Sequence, residues 1–461
     1  MLFNSQLFLL LFLPVTLIAY YAFAGSRARR EWLLIAASLI FYGYWDYRLV
    51  PLLVGSIAAN WILAHAFRAA NARLVLVLGV ALNLSLIGVF KYADFFAGSL
   101  AWVLGAQHSP WNIILPLGIS FFTFQQISYL ADRYRGEAPV YGFREYFLYV
   151  SFFPQLIAGP IVRHNELIFQ LELPPLRKGL YERLSRGATL LAIGLVKKVF
   201  IADTAARIAD PLFASAGAAA LSMIDAWVAT AAFTFQIYFD FSGYSDMAIG
   251  LALMFGLTLP VNFNVPYRAA SIREFWRRWH ITLSHFLRDY LYIPFGGRRH
   301  GKLMQSAALT LTMFLGGLWH GAGWTFVVWG LMHGLGLAVH AWWSRLSGIV
   351  LPEWAGWALT MVFVMTGWVL FRAPDFPTAM SILASMFGGN GFAGAASAYG
   401  AHPAILVLAA GVALIGPSSQ AAALERGYDR PWVAFAVASA LTLSVIMVGS
   451  RLHSEFIYFQ F

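Results

Sequence analysis

The chain has 461 residues, of which 60% are hydrophobic and only 11% are charged, and its net charge is +10. A folded soluble protein of this length could not bury so much apolar surface, and its exterior would carry large apolar patches. The composition therefore excludes a soluble globular protein, intrinsic disorder, a coiled coil and a disulfide scaffold. Because the chain has no cysteine, thiol catalysis and thiolate metal sites are also excluded.

The apolar runs of the chain are continuous over roughly 20 residues, which is the length that a helix needs to cross a bilayer. Strands of a membrane barrel would instead alternate apolar and polar residues. The sequence therefore predicts an all-α polytopic membrane protein with about eleven or twelve spans. The predicted spans are 3–24, 31–45, 49–67, 73–92, 112–130, 187–205, 222–241, 303–320, 324–342, 355–371, 403–418 and 432–449.

Positive charge is concentrated in alternate loops between these runs, which is the positive-inside pattern of membrane proteins rather than a sign of nucleic-acid binding. Basic residues at 27–30, 68–73 and 133–144 predict three cytoplasmic loops, while the leader before the first apolar run has no positive charge. Residues 163–186 and 268–302 are predicted to be cytoplasmic as well. Both termini are therefore expected on the outer side, and no nucleic-acid partner is expected.

Two apolar stretches do not fit simple spans. Residues 146–162 are interrupted by Pro154 and Pro160 and lie between basic segments, so we expect a re-entrant or interfacial hairpin there. Residues 242–262 form a second such run, which stays inside or dips partway into the membrane if the following basic segment is cytoplasmic.

The segment 272–292 is predicted to form one interfacial amphipathic helix. On a wheel of about 100° per residue, its large apolar side chains fall within an arc of about 120°. They are Phe275, Trp276, Trp279, Leu283, Phe286, Leu287 and Tyr290. Its arginines lie outside the arc, which predicts anchoring to anionic lipid headgroups. His280 lies at the border of the arc.

Ionisable residues within apolar runs are costly and therefore mark candidate sites. Asp240 and Asp246 flank a Gly/Ser break at the end of one run, and their structural interpretation is that they cap this break. His320 lies among glycines and tryptophans in Gly316–Trp324. A hydrogen-bonded core histidine is the structural interpretation of that motif, whereas glycines that permit close backbone approach would also suit a substrate tunnel.

Several long motifs together resemble the membrane-bound O-acyltransferase family. They are REFWRRWHITLS at 273–284, LRDYLYIPFGG at 287–297, GLWHGA at 317–322, LPLGISFFTF at 115–124, FPQLIAGPI at 153–161, the stretch 238–246 and the terminal FIYFQF at 456–461. The resemblance covers nearly the whole chain and is greatest to the bacterial branch that works in alginate O-acetylation. Residues 373–450 are its least distinctive part.

This resemblance implies a tunnel that opens to both sides of the membrane, with His320 as the buried catalytic histidine and His280 as a second catalytic position on the cytoplasmic side. It implies one integral membrane acyltransferase domain, with N-terminal helices in 1–130, a catalytic core in 131–345 and C-terminal helices in 346–461. The candidate substrate-binding residues are Arg277, Arg278, Lys302, Asp240, Asp246 and Trp319.

The resemblance also implies a reaction and a location. An acetyl group would pass from cytoplasmic acetyl-CoA across the bacterial inner membrane, and periplasmic SGNH-type proteins would use it to acetylate an exported polysaccharide such as alginate. Both termini would then be periplasmic, and membrane lipids would surround the chain. Acetyl-CoA would be a substrate, so no bound cofactor and no metal are expected.

Elementary chemistry agrees with this role. Acyl transfer to a hydroxyl needs a general base, and an imidazole kept neutral by a low-dielectric tunnel can take the proton. Coenzyme A carries phosphates, and the segment from Arg268 to Lys302 offers eight basic residues close to His280. Lipid anchoring explains the same arginines, so both interpretations stay open.

Two other classes of protein remain as alternatives. In a transporter or flippase, His333 and His340 lie seven residues apart on one helical face and with Asp240 and Asp246 could relay protons. In a metal or haem protein, His320, His333 and His340 would be ligands, although no carboxylate or thiolate lies beside them at ligand spacing.

Overall fold

The structure is a computed structural model, and it describes residues 1–217, 219–299, 301–346, 348–392, 403–425, 430–450 and 456–457. Residues 458–461 of the terminal motif lie outside the described residues. Within the described part, every regular element is a helix. The predicted all-α fold is therefore confirmed.

Twenty α-helices follow one another along the described chain. They are α1 (Leu13–Ala22), α2 (Arg27–Asp46), α3 (Val50–His65), α4 (Ala72–Ile87), α5 (Ala93–Val103), α6 (Ile119–Arg135), α7 (Phe143–Ser151), α8 (Phe153–Leu156), α9 (His164–Leu167), α10 (Leu180–Val196), α11 (Asp203–Ser215), α12 (Met223–Met254), α13 (Ile272–Arg278), α14 (Ile281–Leu287), α15 (Gly301–His320), α16 (Trp324–Leu346), α17 (Glu353–Arg372), α18 (Phe376–Met386), α19 (Pro403–Leu414) and α20 (Pro431–Ser450). Turns of π-helix extend several of them, at Phe8–Phe12, Gly88–Tyr92, Lys197–Ala202, Arg288–Tyr292 and Ala421–Glu425.

Five helical stretches in the described part are long and apolar enough to cross a membrane. They are Arg27–His65, Ala72–Val103, Trp324–Leu346, Glu353–Arg372 and Pro431–Ser450. Shorter apolar helices occur at Phe8–Ala22, Phe376–Met386 and Ala404–Leu414. The chain is therefore a multi-pass membrane protein, and the expected total of about eleven or twelve spans stays a prediction.

The helices form two compact units, and the chain passes between them more than once. The first unit contains Met1–Leu195, Tyr244–Val261 and Ala423–Phe459. Its helices α3, α4 and α6 are joined by buried amides, since Asn83 Nδ2 donates to Asn60 Oδ1 at 2.7 Å and Gln126 Nε2 donates to Ser56 Oγ at 3.0 Å. Such interhelical hydrogen bonds replace the hydrophobic driving force that is missing between helices in lipid.

The second unit contains Val196–Gly243 and Asn262–Ala422. It holds α11, α13 to α19 and the first part of α12. Both predicted histidines, His280 and His320, belong to this unit. The two units do not coincide with the three consecutive segments expected from the sequence, which stay a prediction.

In the second unit, α15 and α16 lie backbone against backbone along a seam of glycines. A Cβ atom on Gly317 would lie 3.0 Å from Gly330 Cα, and one on Gly330 would lie 3.0 Å from Gly317 Cα. One turn further along, a Cβ on Gly334 would lie 2.7 Å from Thr310 Cα. Because these distances are shorter than carbon atoms tolerate, the seam requires glycine, and it fixes the end of α15 at His320.

The helix α12 corrects one expectation from the sequence. It runs through Gly243 without interruption for 32 residues, so Asp240 and Asp246 do not flank a break and do not cap one. The residues after 241 are therefore a continuation of the helix and not a separate run that begins at 242. Glycine and serine weaken an isolated helix, but the packing of α12, whose residues 237–252 are all buried, overrides this propensity.

The structure tests two other predicted elements, one of which differs in its bounds. The predicted span at 112–130 begins late, because Pro116 and Gly118 precede α6 and Gly118 adopts a left-handed conformation with φ of 74°. The broken character of 146–162 is confirmed, since α7 ends at Ser151 and α8 begins at Phe153 before Pro154.

A methyl group on the glycine seam should destabilise the protein. In Gly330→Ala, the new Cβ would push α15 and α16 apart, and overpacking of this kind costs about 1–3 kcal/mol of the free energy of unfolding. Thermal unfolding of the detergent-solubilised protein measures the effect. Gly55→Ala is the matched control, because nothing lies within 4 Å of its added Cβ. Equal melting temperatures for the two variants would contradict the close packing.

Candidate active site

His320 is the last residue of α15, and its side chain is buried in an aromatic chamber. The imidazole centroid lies 4.9 Å from that of Trp319, 5.1 Å from that of Trp329 and 5.3 Å from that of Phe371. Both tryptophans and the phenylalanine are themselves buried. His320 therefore lies at the end of a helix and is buried among indole rings, as its sequence motif predicted.

His280 lies where the predicted amphipathic helix breaks. Helix α13 ends at Arg278, α14 begins at Ile281, and His280 between them has a left-handed φ of 43°. The expectation of one continuous helix over 272–292 is therefore wrong. Asn262 stabilises the break, because its carbonyl oxygen accepts from Ile281 N at 2.9 Å and its Oδ1 accepts from Thr282 Oγ1 at 2.8 Å.

The apolar arc of this segment faces protein and not lipid. Phe275, Trp276 and Trp279 are buried, as are Leu283 and Leu287 on α14. Trp279 packs against Trp368 of α17 with ring centroids 4.9 Å apart. The expectation that the apolar arc lies in the lipid interface is therefore wrong, since the same periodicity also suits a helix buried against other helices. The anchoring of the arginines to lipid headgroups stays a prediction.

Asn262 also determines which nitrogen of His280 is the acceptor. His280 Nδ1 lies 3.1 Å from Asn262 Oδ1, and this oxygen accepts from Thr282. Because Oδ1 is an acceptor, Nδ1 carries the proton of the neutral ring and Nε2 carries the lone pair. Trp319 lies between the two histidines, with its ring centroid 6.0 Å from that of His280 and 4.9 Å from that of His320.

A cavity of about 260 Å³ opens beside α13, α15 and α16. Four arginines line it, and they are Arg273, Arg288, Arg298 and Arg345. His340 and Gln305 are further polar lining residues, and Trp276, Leu287 and Met313 contribute apolar walls. Burial, together with the nearby charges of Arg277, Arg298 and Arg345, lowers the pKa of the Arg273 guanidinium. The cavity is therefore suited to an anion.

The inner wall of this cavity connects it to the histidine chamber. The ring of Trp276 packs against that of Trp329 with centroids 5.9 Å apart, and Trp329 in turn packs edge to face against His320. Trp276 Nε1 also donates to His333 Nδ1 at 3.2 Å. The packed pair of Trp276 and Trp329 thus links the wall of the basic cavity to His320.

The predicted basic residues occupy different places around α13. Arg277 is exposed and does not line the cavity. Arg278 is paired with Glu274 at 2.7 Å and lines a separate groove together with Arg268 and Glu353. Lys302 is exposed, and its ammonium lies 5.5 Å from the ring of Trp342 beside Arg345.

Sequence reasoning missed Arg345 as a cavity residue and did not single out Arg273. Arg345 is in the last turn of α16, some seventy residues after Arg273 in the sequence. Its position at the end of an apolar helix on the same basic side was the available signal.

Asp240 is engaged in a buried ion pair. Lys198 Nζ lies 2.6 Å from Asp240 Oδ1 and 2.9 Å from Asp203 Oδ1, and Lys198 and Asp240 are both buried. Lys198 comes from the π-helical turn after α10, a feature that sequence periodicity does not reveal. This pairing gives Asp240 a structural role and leaves little support for it as a member of a proton relay. Asp246 is also buried and belongs to the first unit.

The metal alternative has no structural support in the described residues. No group of three histidine, aspartate or glutamate side chains lies close enough there to hold a metal ion. His320, His333 and His340 therefore do not form such a group.

Comparison with known proteins agrees with this geometry. Residues 119–374 match the model of the membrane-bound O-acyltransferase family, MBOAT, a region that includes both histidines and the cavity. The chain belongs to this family and is an O-acyltransferase.

Its relatives act on different polymers according to their names. The chain is 43% identical to the peptidoglycan O-acetyltransferase of Helicobacter pylori over 85% of this chain and 80% of that protein. It is 44% identical to the "Probable alginate O-acetylase AlgI" of Pseudomonas aeruginosa over 84% of this chain and 75% of that protein. A teichoic acid D-alanyltransferase of Streptococcus thermophilus is 26% identical over 50% of this chain and 57% of that protein.

Asp240→Asn should destabilise the fold, because it weakens a buried ion pair and leaves Lys198 less compensated. Removing one partner of such a pair costs about 3–5 kcal/mol of the free energy of unfolding. The triple variant Lys198→Met/Asp203→Asn/Asp240→Leu should recover part of this loss, because it removes all three charges together and apolar residues often replace buried pairs well.

Melting temperatures in detergent measure both effects. Asp210→Asn is the matched control, because its pair with Arg372 at 2.9 Å is half exposed and surface pairs contribute about 0–1 kcal/mol. If Asp240→Asn instead kept the wild-type melting temperature and lost only activity, Asp240 would be a substrate residue and not a structural one.

Proposed function

We propose that the chain transfers an acetyl group from cytoplasmic acetyl-CoA for the O-acetylation of an exported polysaccharide. The proposal is supported by the ring contacts that link the basic cavity to His320 within one compact unit. Trp276 lines the cavity and packs against Trp329, which packs against His320. Cationic walls suit the donor's phosphates, and a buried imidazole suits the transfer step.

The cavity fits the donor in charge and position. Coenzyme A carries several phosphates, and arginine binds phosphate oxygens through two parallel N–H groups. The cavity lies among the start of α15 and the end of α16, where the basic loops predict the cytoplasmic side. The narrow arm of coenzyme A would then extend past Trp276 toward His320, while the nucleotide stays among the arginines.

His320 supplies the base that acyl transfer requires. It would remove the proton from the acceptor hydroxyl while the hydroxyl oxygen forms a bond to the thioester carbon, and the protonated imidazole would return that proton to the departing thiolate. His280, with its lone pair on Nε2, would orient the donor or the acceptor beside Trp319. This scheme conserves protons and needs no bound cofactor.

The acceptor follows from the relatives only as a class. The names of two relatives at nearly equal identity specify peptidoglycan and alginate, and both polymers are polysaccharides whose acetylated atoms are hydroxyl oxygens. We therefore infer an exported polysaccharide, reached from a bacterial inner membrane with both termini in the periplasm, and a periplasmic SGNH-type partner that receives the acetyl group.

His320→Gln should abolish acetyl transfer and leave a folded protein. Glutamine keeps a polar side chain of similar reach but cannot take a proton, so transfer should fall by about 10²–10⁴-fold, as for a lost acid–base group. Acetyl transfer by His320→Ala should fall by the same factor. Transfer by His280→Ala should fall less if His280 only orients a substrate.

The measurement is the transfer of label from acetyl-CoA in membranes, normalised to the amount of folded protein. Near-normal transfer by His320→Gln would contradict the catalytic role and the proposed function with it. Transport of intact substrate without consumption of acetyl-CoA would identify a transporter instead.

Arg273→Gln combined with Arg345→Gln should raise the KM for acetyl-CoA. Each lost charge-assisted hydrogen bond contributes about 1.5–3 kcal/mol, so an increase of at least tenfold is expected, and the wild-type KM should itself rise with salt. Arg299→Gln is the matched control, since Arg299 is exposed and directly follows the cavity residue Arg298 but does not line the cavity. A larger effect from Arg277→Ala/Arg278→Ala would place the phosphates outside the cavity, as the sequence suggested.

A further inference from the structure

Two buried N–H groups on α16, one of them on a ring that packs against His320, have no acceptor among the described residues. They are the indole Nε1 of Trp329 and the Nε2 of His333, and neither side chain is more than 1% exposed. A buried donor without an acceptor costs about 1–3 kcal/mol, so native proteins rarely keep one without a use. Two such donors on adjoining residues therefore point to an acceptor that arrives with a ligand.

The proton of His333 is fixed on Nε2 by a neighbour. Trp276 can only donate, and its Nε1 donates to His333 Nδ1 at 3.2 Å. Because Nδ1 accepts this hydrogen bond, the neutral ring carries its proton on Nε2. His333 is thus a hydrogen-bond donor toward its other side, and the wall of the basic cavity determines its tautomer.

Both rings lie against the same glycine. A Cβ atom on Gly367 of α17 would lie 3.1 Å from His333 Nε2 and 3.5 Å from Trp329 Cδ1, the carbon bonded to Nε1. The ring centroids of Trp329 and His333 are 4.7 Å apart, and Trp329 meets His320 edge to face. Glycine at position 367 therefore puts no side chain against His333 Nε2 or against the Cδ1 edge of the Trp329 indole.

We propose that Trp329 and His333 form the oxyanion site for the acyl group, an inference that rests on the proposed function. When the acceptor oxygen bonds to the thioester carbon, the electron pair of the C=O bond moves onto the carbonyl oxygen. That oxygen then accepts hydrogen bonds from Trp329 Nε1 and His333 Nε2. The pair returns when the C–S bond breaks and the thiolate leaves with the proton held by His320. Preorganised donors of this kind stabilise the transition state more than the bound substrate.

Trp329→Phe tests the proposal, because it removes the N–H and keeps an aromatic ring. The assay is the release of the free thiol of coenzyme A by purified enzyme with acetyl-CoA and with alginate or peptidoglycan as the acceptor. It is read with a thiol reagent that cannot react with a chain that has no cysteine. We expect kcat to fall by about 10²–10³-fold with KM changed by less than about threefold.

The matched control is Trp357→Phe. It removes the same atom from an indole that has its own acceptor, the carbonyl oxygen of Tyr267 at 2.8 Å. We expect this variant to lose stability but keep kcat. A wild-type kcat in Trp329→Phe would overturn the oxyanion site and leave the proposed function intact, whereas a wild-type kcat in His320→Gln would overturn the proposed function itself.

Two further variants separate chemistry from packing. His333→Gln keeps an N–H near the position of Nε2, so it should retain more of kcat than His333→Leu, and equal losses would show that His333 only packs. Gly367→Ala keeps both donors but places a methyl group before them, so kcat should again fall while KM stays. The added Cβ of Gly367→Ala would lie 2.9 Å from Met332 Cε, which could prevent folding. In that case the comparison of Trp329→Phe with Trp357→Phe still tests the oxyanion site.

Discussion

The close contact between α15 and α16 is the constraint on which the site depends. Gly317 and Gly330 let the two backbones touch, and this contact sets His320 at the end of one helix against Trp329 on the other. Lipid gives helices no hydrophobic reason to associate, so close packing of small residues must supply the attraction. A larger side chain on this seam would move the imidazole relative to its neighbours, and acyl transfer tolerates such displacement poorly.

Buried polar groups in the second unit are stabilised by close hydrogen-bond and ion-pair partners. Lys198 is compensated by two carboxylates, and Asn262 stabilises the break at His280 through both its side chain and its main chain. Buried charges and amides are expensive in a membrane unless partners are close. We assign a structural role to Lys198 and Asn262, which have such partners, and we propose a binding role for Trp329 and His333, whose adjoining N–H groups have no acceptor among the described residues.

The sequence was sufficient for the fold class, the family and the position of His320, because long apolar runs and a glycine-flanked histidine are local signals. It was insufficient at His280, since the apolar periodicity of 272–292 continues across the break that Asn262 stabilises. It placed a break in α12 because glycine and serine lower helix propensity, although packing overrides them. It missed Arg345, because only the pairing of α15 with α16 brings this residue to the cavity that Arg273 lines.

The most direct test of the account is an experimental structure of the protein with a non-hydrolysable thioether analogue of acetyl-CoA. We expect phosphate groups in contact with Arg273 and Arg345, the pantetheine arm beside Trp276, and the carbonyl oxygen of the analogue within hydrogen-bonding distance of Trp329 Nε1. An analogue bound outside the basic cavity, with its carbonyl remote from His320, would contradict both the donor site and the catalytic role of His320.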